Sequence, residues 1–271
     1  YLRNLLPGQG GIRAPWAAAM RAANRLPGLR LDPAAPVRAA VSWASDALRA
    51  HVRLPEWIDV APERTIHPAT TQEAALSALE RAPVEPPEVL YLGRVTTAKG
   101  IEVAYRAIAT LRGEHGVDVR LVQAGAAKPD MDRALAQLAS DLGIADAIDV
   151  RGPLSPPEVA HALARAGALV LPTVEWDVFP LVLIEAGLAR VPIAAARIGG
   201  VPEAVTDPDH ALLFEPGDAN ACATALASVF RDPVAAGTRA ERAYARMREL
   251  SLARYRSESE RFIEAAVEAL A

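Results

Sequence analysis

Two basic and two acidic residues carry the chemistry that is legible in this chain. The segment Gly93-Arg94-Val95-Thr96-Thr97-Ala98-Lys99-Gly100 lies between an apolar run and a helical pattern. Two cations five positions apart at a strand end, beside a helix N-terminus, can surround an anion. Arginine offers a bidentate fork and lysine a compact point charge, a pair suited to a diphosphate. An exposed loop with two solvated cations is the alternative. The acids are Asp177 and Glu185, eight positions apart in Asp177-Val178-Phe179-Pro180-Leu181-Val182-Leu183-Ile184-Glu185-Ala186. Asp177 falls in a loop, and Glu185 about two turns into the helix that follows. Free amides near Leu181 and Val182 would occupy that helix's first turn and point toward an anion. This geometry could set one acid by a sugar and the other by a ribose, with phosphate between them. The plainer reading has Asp177 capping the helix and Glu185 facing solvent. A third segment, Ile198-Gly199-Gly200-Val201-Pro202-Glu203, is a loop with proline at a helix start. Its paired glycines either let backbone approach a ligand closely or simply make a turn.

The elements that must position these residues show as alternating patterns from about residue 87 onward. Apolar runs at 89–93, 119–125, 148–152, 168–172, 192–196 and 211–214 read as strands. Helical patterns fill 99–112, 131–142, 156–166 and 179–189 between them. Strand and helix repeated in this way predict a parallel sheet covered by helices on both faces, an α/β doubly wound domain. Such domains bind ligands at the carboxyl ends of their strands, where all three segments fall. After the last strand Asp218 is a candidate N-cap, and helices are expected to the end, with 258–271 amphipathic.

Residues 1–86 read differently. Gly8-Gln9-Gly10-Gly11 predicts a flexible loop, Trp16 to Leu26 a helix, Val37 to Val41 a strand and Ser45 to Val52 a helix. Ala75 to Pro87 reads as an exposed helix and a proline-rich linker, a natural boundary. The division expected is 1–86 as a curtailed N-terminal portion, 87–250 as the doubly wound domain, and 251–271 as a C-terminal helix that packs back on the first portion. Because the sequence starts at Tyr1 rather than Met, a fragment of a longer chain is expected.

Composition narrows the function classes. Of 271 residues, 51% are hydrophobic and 23% charged, enough for a sizeable core. A formal net charge of −4 leaves no basic footprint for nucleic acid. The single cysteine, Cys222, excludes an intrachain disulfide, fits a reducing, cytoplasmic compartment, and reads as a buried structural thiol. No apolar stretch reaches the roughly 18–20 residues of a membrane span, and the N-terminus has no signal-peptide core; peripheral membrane contact stays open. Asp207-Pro208-Asp209 resembles a metal-binding pair but stands in a turn without further ligands. His51, His67, His115, His161 and His210 are dispersed, with no metal-ligand spacing; His67, in Ile66-His67-Pro68, could approach the interdomain crevice, but a surface role is the preferred reading. Neither metal nor cofactor is expected. An NAD-linked site is disfavoured because no G-x-G-x-x-G follows the first strand.

Taken together and in order, the motifs carry a resemblance. From about Glu88 to Ala240 the chain is similar to the C-terminal domain of family 4 glycosyltransferases, also called group 1 glycosyl transferases. The matching residues are Gly93-Arg94 with Lys99-Gly100, Gly152-Pro153-Leu154, Leu171-Pro172-Thr173, Phe179 to Ala186, Gly199-Gly200-Val201-Pro202-Glu203, and Leu213-Phe214-Glu215-Pro216-Gly217-Asp218. The resemblance implies a GT-B fold whose Rossmann-like donor domain binds a nucleotide diphosphate sugar. It implies that Arg94 and Lys99 hold the diphosphate in place of a metal ion, and that Asp177 contacts the transferred sugar. Glu185 would bind ribose hydroxyls, Gly152, Pro153 and Leu154 would border the nucleobase, and Leu181 and Val182 would offer amides to phosphate. Phe179, Pro180, Gly199 and Gly200 complete the donor-binding set. Asp177 departs from the family's usual glutamate, which shortens its reach by one methylene, and Pro180 and Gly187 depart from the pattern more mildly.

The activity implied is retaining, metal-independent sugar transfer to an unidentified glycan, lipid or small-molecule acceptor. Ser42-Trp43-Ala44-Ser45 resembles the last strand–helix junction of an acceptor domain, most of which is absent. Two other readings remain: a non-catalytic sugar-nucleotide-binding or scaffold module, and a nucleotide-sugar epimerase of the same architecture.

Overall fold

The computed structural model describes residues 37–54, 56 and 58–270. The expected Gly8–Gly11 loop and the helix from Trp16 to Leu26 lie outside the described residues. In chain order the elements are β1 (Val37–Trp43), α1 (Asp46–His51), β2 (Ile58–Thr65), α2 (Glu73–Ser77), β3 (Glu88–Leu92), α3 (Ile101–Gly113), β4 (Arg120–Ala124), α4 (Pro129–Asp141), β5 (Ile148–Gly152) and α5 (Pro156–Arg165). There follow β6 (Ala166–Leu171), α6 (Leu181–Leu188), β7 (Ile193–Ala196), α7 (Val201–Ala204), β8 (Leu212–Phe214), α8 (Ala219–Arg231), α9 (Pro233–Glu249) and α10 (Leu252–Leu270). The described residues fall into two compact units. One consists of 42–52 and 64–263; the other takes those among 1–41, 53–63 and 264–271.

The first of these units is built on a parallel sheet in the order β5-β4-β3-β6-β7-β8. Alternate residues of one strand point to opposite faces, and both faces here are apolar. Val89 and Tyr91 of β3 enter one buried cluster with Ile108 of α3 and Leu226 of α8. Leu90 enters the other, with Leu163 of α5 and Leu183 of α6. Two cores on two faces explain the apolar runs of the central strands β3, β6 and β7, whereas the edge strand β5, Ile148-Asp149-Val150-Arg151-Gly152, meets water and leaves Val150 57% exposed. The order also reverses between β3 and β6: successive strands step one way from β3 and the other way from β6. Helices on either side of that reversal diverge and leave a crevice above β3 and β6.

Local signals set the ends of the elements. Asp218 caps α8, accepting from the amide of Ala221 at 2.8 Å, and Ser45 caps α1, accepting from Leu48 at 3.0 Å. Cys222 is fully buried in the first cluster, and burial pushes its thiol pKa up.

Three expectations are corrected. The segment read as an exposed helix over Ala75 to Pro87 is the five-residue α2, and its Leu76 is 0% exposed in the second cluster. Its apolar side chain has a core to enter, and prolines stop the helix soon after. β2 has no counterpart among the sequence-predicted strands, because Asp59, Pro62, Glu63 and Arg64 break its apolar pattern. Glu185 is the fifth residue of α6, little more than one turn in, because the helix begins after Pro180 rather than at Phe179. No helix among the described residues is long and apolar enough to cross a membrane; α10 buries none of its residues and exposes Ile263 and Val267.

Candidate active site

The loops that follow β3 and β6 are drawn together by a glycine. Gly100 has φ 71°, and a Cβ there would run into the carbonyl of Pro172. Only glycine accepts both that backbone angle and that proximity. The contact is reinforced by the amides of Val174 and Glu175, which both donate to the carbonyl of Ala98 at 3.1 Å. Thr96 caps the 3₁₀ turn Thr97–Lys99, accepting from the Lys99 amide at 3.3 Å. The Lys99 ammonium thereby meets Asp177, to whose Oδ2 it donates. Both side chains are largely sheltered, 24% and 12% exposed.

Gly199 and Gly200 hold Asp177 from the other side. Gly199, at φ 56°, presses on the Asp177 backbone, Gly200 presses on that of Val178, and the Gly200 amide donates to the Asp177 carbonyl at 2.9 Å. The close approach these glycines permit is therefore to the loop carrying Asp177. On the β4 and β5 side, the Gly93 amide donates to Ala124 and the Gly125 amide to Gly152, at 3.0 and 2.7 Å. Gly152 is thus tied into the same edge. Pro153 beside it is exposed, and Leu154 turns toward the second core cluster.

The remaining predicted residues differ in what they present. Arg94 is exposed, its carbonyl accepts from the Tyr91 hydroxyl at 2.7 Å, and its guanidinium has no partner among the described residues. Pro180 is the N-cap of α6 and is buried, as is Phe179, so each can offer a ligand little beyond its backbone. The amides of Leu181 and Val182, in the first turn of α6, have no hydrogen-bond partner among the described residues. Glu185 is half-buried without a hydrogen bond to a described residue, and desolvation raises its carboxyl pKa.

Sequence reasoning gave no role to a third carboxylate, Glu203, though it lies in the motif Gly199-Gly200-Val201-Pro202-Glu203. It accepts from the amides of Asp46 and Ala47 at 2.9 and 2.6 Å, at the start of α1, and from His67 Nε2 at 3.0 Å. The His67 ring in turn lies against Phe179, centroids 4.9 Å apart. His67 is accordingly a half-buried connecting residue, not the surface residue expected. Only the motif position of Glu203 hinted at this, because the partners are 136 residues apart. Trp176, next to Asp177, stacks on His51 with centroids 4.4 Å apart.

The electrostatic balance is specific. Lys99 and Asp177 neutralise one another, while Arg94 and the first amides of α6 have no carboxylate partner among the described residues. Asp207 and Asp209, the apparent metal-binding pair, face different arginines, Arg197 at 2.8 Å and Arg242 at 3.1 Å. Among the described residues no group of three or more His, Cys, Asp or Glu is arranged to hold a metal ion.

Comparison with known proteins adds an independent line. The model of the family described as "Glycosyl transferases group 1" matches residues 74–249. D-inositol 3-phosphate glycosyltransferase of Mycolicibacterium paratuberculosis is 34% identical over 180 residues, covering 64% of this chain and 38% of the relative. Glycogen synthase of Mycobacterium tuberculosis is 33% identical over 170 residues, covering 63% of this chain and 40% of the relative. The chain thus spans less than half the length of these curated relatives. Among solved structures, a glycosyltransferase from Rickettsia africae superposes with a TM-score of 0.74 at 20% identity, over 83% of this chain and 63% of that one. Anabaena HepE, solved in complex with UDP and glucose, gives 0.69 at 18% identity, over 93% and 67%. At these identities the structural likeness speaks for the fold, which is that of GT-B proteins.

Proposed function

The chain belongs to the group 1 glycosyl transferases, and from that premise we propose that the crevice above β3 and β6 binds a nucleoside diphosphate sugar and serves its transfer, with retention and without a metal ion. The observation that carries this reading is the meeting of Lys99 and Asp177 at the reversal of strand order, beside unpartnered amides of α6. A diphosphate entering there finds fixed donors on more than one side: the guanidinium of Arg94, the ammonium of Lys99 and the amides of Leu181 and Val182. Lys99 would exchange one oxygen of Asp177 for one of phosphate. The freed Asp177 carboxylate would then face the sugar, and Glu185 would accept from ribose hydroxyls at a site where it has no other partner.

As the bond between the anomeric carbon and the diphosphate breaks, negative charge grows on the leaving group and the sugar gains oxocarbenium character. Preorganised cations and amides stabilise that anion without reorganising at the moment of reaction. Asp177, held by Gly199 and Gly200, would stabilise the positive ring. The residues at Gly152, Pro153 and Leu154 would border the base, and the buried Phe179 and Pro180 would shape the crevice from beneath. We place the protein in the cytoplasm, in keeping with its single buried thiol. The acceptor is a glycan, lipid or small molecule.

Saturation-transfer NMR with UDP-, GDP-, ADP- and dTDP-sugars tests the reading on the intact chain. One donor is expected to show transfer to base and ribose protons that disappears in Arg94→Ala. Absence of transfer from all four, or equal signals in the variant, would overturn it.

A further inference from the structure

The loop that carries Asp177 is held at two points by one short helix. Residues 172–180, between β6 and α6, form neither helix nor strand. At Asp177 the hold is direct: Gly200, the N-cap of α7, donates its amide to the Asp177 carbonyl at 2.9 Å. Two residues further on it is indirect. Glu203, on α7, accepts from His67 Nε2 at 3.0 Å. The His67 ring lies against Phe179, with centroids 4.9 Å apart and planes inclined at 34°. A carboxylate only accepts, so the imidazole is the donor and Glu203 sets the orientation of its ring.

Both partners of this second contact are themselves tied down. The Ile66 amide donates to the Trp43 carbonyl at 2.8 Å, and the His67 carbonyl accepts from Arg254 Nη2 at 3.1 Å. The Glu203 carboxylate also accepts from the amides of Asp46 and Ala47, and its backbone carbonyl accepts from Arg246 Nη2 at 3.1 Å. Phe179 is 6% exposed and belongs to the second core cluster. The amides of Val178 and Phe179 have no hydrogen-bond partner among the described residues, so the packed Phe179 ring is what anchors this stretch. In a close-packed interior such a ring moves only with the backbone that bears it.

We infer that His67 is a positioning residue for the crevice, an inference that rests on the donor reading above. Oriented by Glu203, its ring holds Phe179. Through Phe179 it fixes Asp177, two residues before, and the amides of Leu181 and Val182 that follow. Groups that stabilise a developing charge act from a fixed position, and a displacement of about 1 Å can cost about 100-fold in rate. His67 acts through Phe179 and takes no part in the chemistry itself.

Two measurements on the intact chain test this. The first is amide hydrogen exchange without ligand. In His67→Ala the amides of Gly200 and Leu183, which donate to Asp177 and Pro180, are expected to exchange about tenfold faster or more. Those of Asp46 and Ala47, whose acceptor Glu203 remains, and those of β3 are expected to stay as in the parent. The second is steady-state turnover of the sugar nucleotide found by saturation transfer. His67→Ala is expected to lower kcat about tenfold or more and to leave KM within about threefold, because the groups displaced act in the transition state. His67→Phe, which keeps a ring on Phe179, should recover most of that loss, whereas His67→Gln, which keeps only a donor for Glu203, should not. Unchanged exchange at Gly200 and Leu183, uniform acceleration over the whole chain, a raised KM without a fall in kcat, or rescue by Gln rather than Phe would each overturn the inference. The exchange measurement needs no donor, so its failure is told apart from failure of the donor reading.

Discussion

Lys99 and Asp177, 78 residues apart in sequence, form an ion pair across the crevice where the strand order reverses. The pairing makes the lysine and the aspartate competitors for one another before any ligand arrives. A diphosphate that recruits Lys99 must first displace Asp177.

The competition gives Asp177→Asn two opposite effects. With its partner gone, Lys99 is available, and binding of the nucleoside diphosphate should tighten roughly 3- to 10-fold, about 1 kcal/mol for a partly sheltered pair. Sugar transfer should fall, because the carboxylate proposed to face the sugar is lost. Calorimetric titration with the cognate diphosphate, beside turnover of its sugar, reads both. Weaker diphosphate binding in the variant would show that Lys99 is not what Asp177 restrains.

Removing either cation should act mainly on the reaction barrier. Arg94→Ala and Lys99→Ala are each expected to raise it by about 2–4 kcal/mol, by analogy with other preorganised donors. The Arg94 guanidinium has no hydrogen-bond partner among the described residues, so its loss should leave the melting temperature unchanged while turnover drops. Steady-state kinetics and a thermal melt on the same sample check this, and unchanged turnover in both variants excludes the assignment.

Glu185 ties function to pH. Burial raises its carboxyl pKa in the folded chain above the ordinary value of 4.5. The folded state then prefers the protonated form, so the associated stability is complete below the unfolded value and is lost as pH rises through the folded one. Glu185→Gln removes the buried charge, and should therefore raise the melting temperature at pH 7 but not at pH 4, while weakening donor binding. Melts across this range decide it; a variant less stable at pH 7 contradicts the sign.

Glu203→Ala should loosen the start of α1. Two amides and His67 lose their acceptor at once, and a satisfied, half-buried carboxylate of this kind is worth about 1–3 kcal/mol. Urea unfolding measures the loss, and amide exchange at Asp46 and Ala47 should quicken. Unchanged exchange there means the carboxylate is not their partner in solution.

Gly100→Ala should disturb the crevice without removing any chemical group. The positive φ alone strains an alanine by about 1–3 kcal/mol, and its Cβ would displace the Pro172 carbonyl. A melt that fails to shift down would mean that the loops after β3 and β6 do not cross so closely.

The alternation of apolar runs and helical patterns from residue 87 onward was by itself enough to place β3 to β8 and the helices between them. Both faces of the central strands are covered, so β3, β6 and β7 are largely apolar stretches, and caps such as Asp218 act through neighbours in sequence. Gly93-Arg94, Lys99-Gly100 and the Asp177 to Glu185 spacing were legible because each falls within the loop and helix start that follow a strand. β2 was not legible, because a half-exposed strand with charges and a proline has no periodic signature. Which strands adjoin was decided only by tertiary structure, and with it the facts that β3 and β6 meet, that Lys99 therefore reaches Asp177, and that Glu203 holds α1 and His67. Pairing energies of this kind depend on distance in space, and a linear sequence carries no measure of that distance.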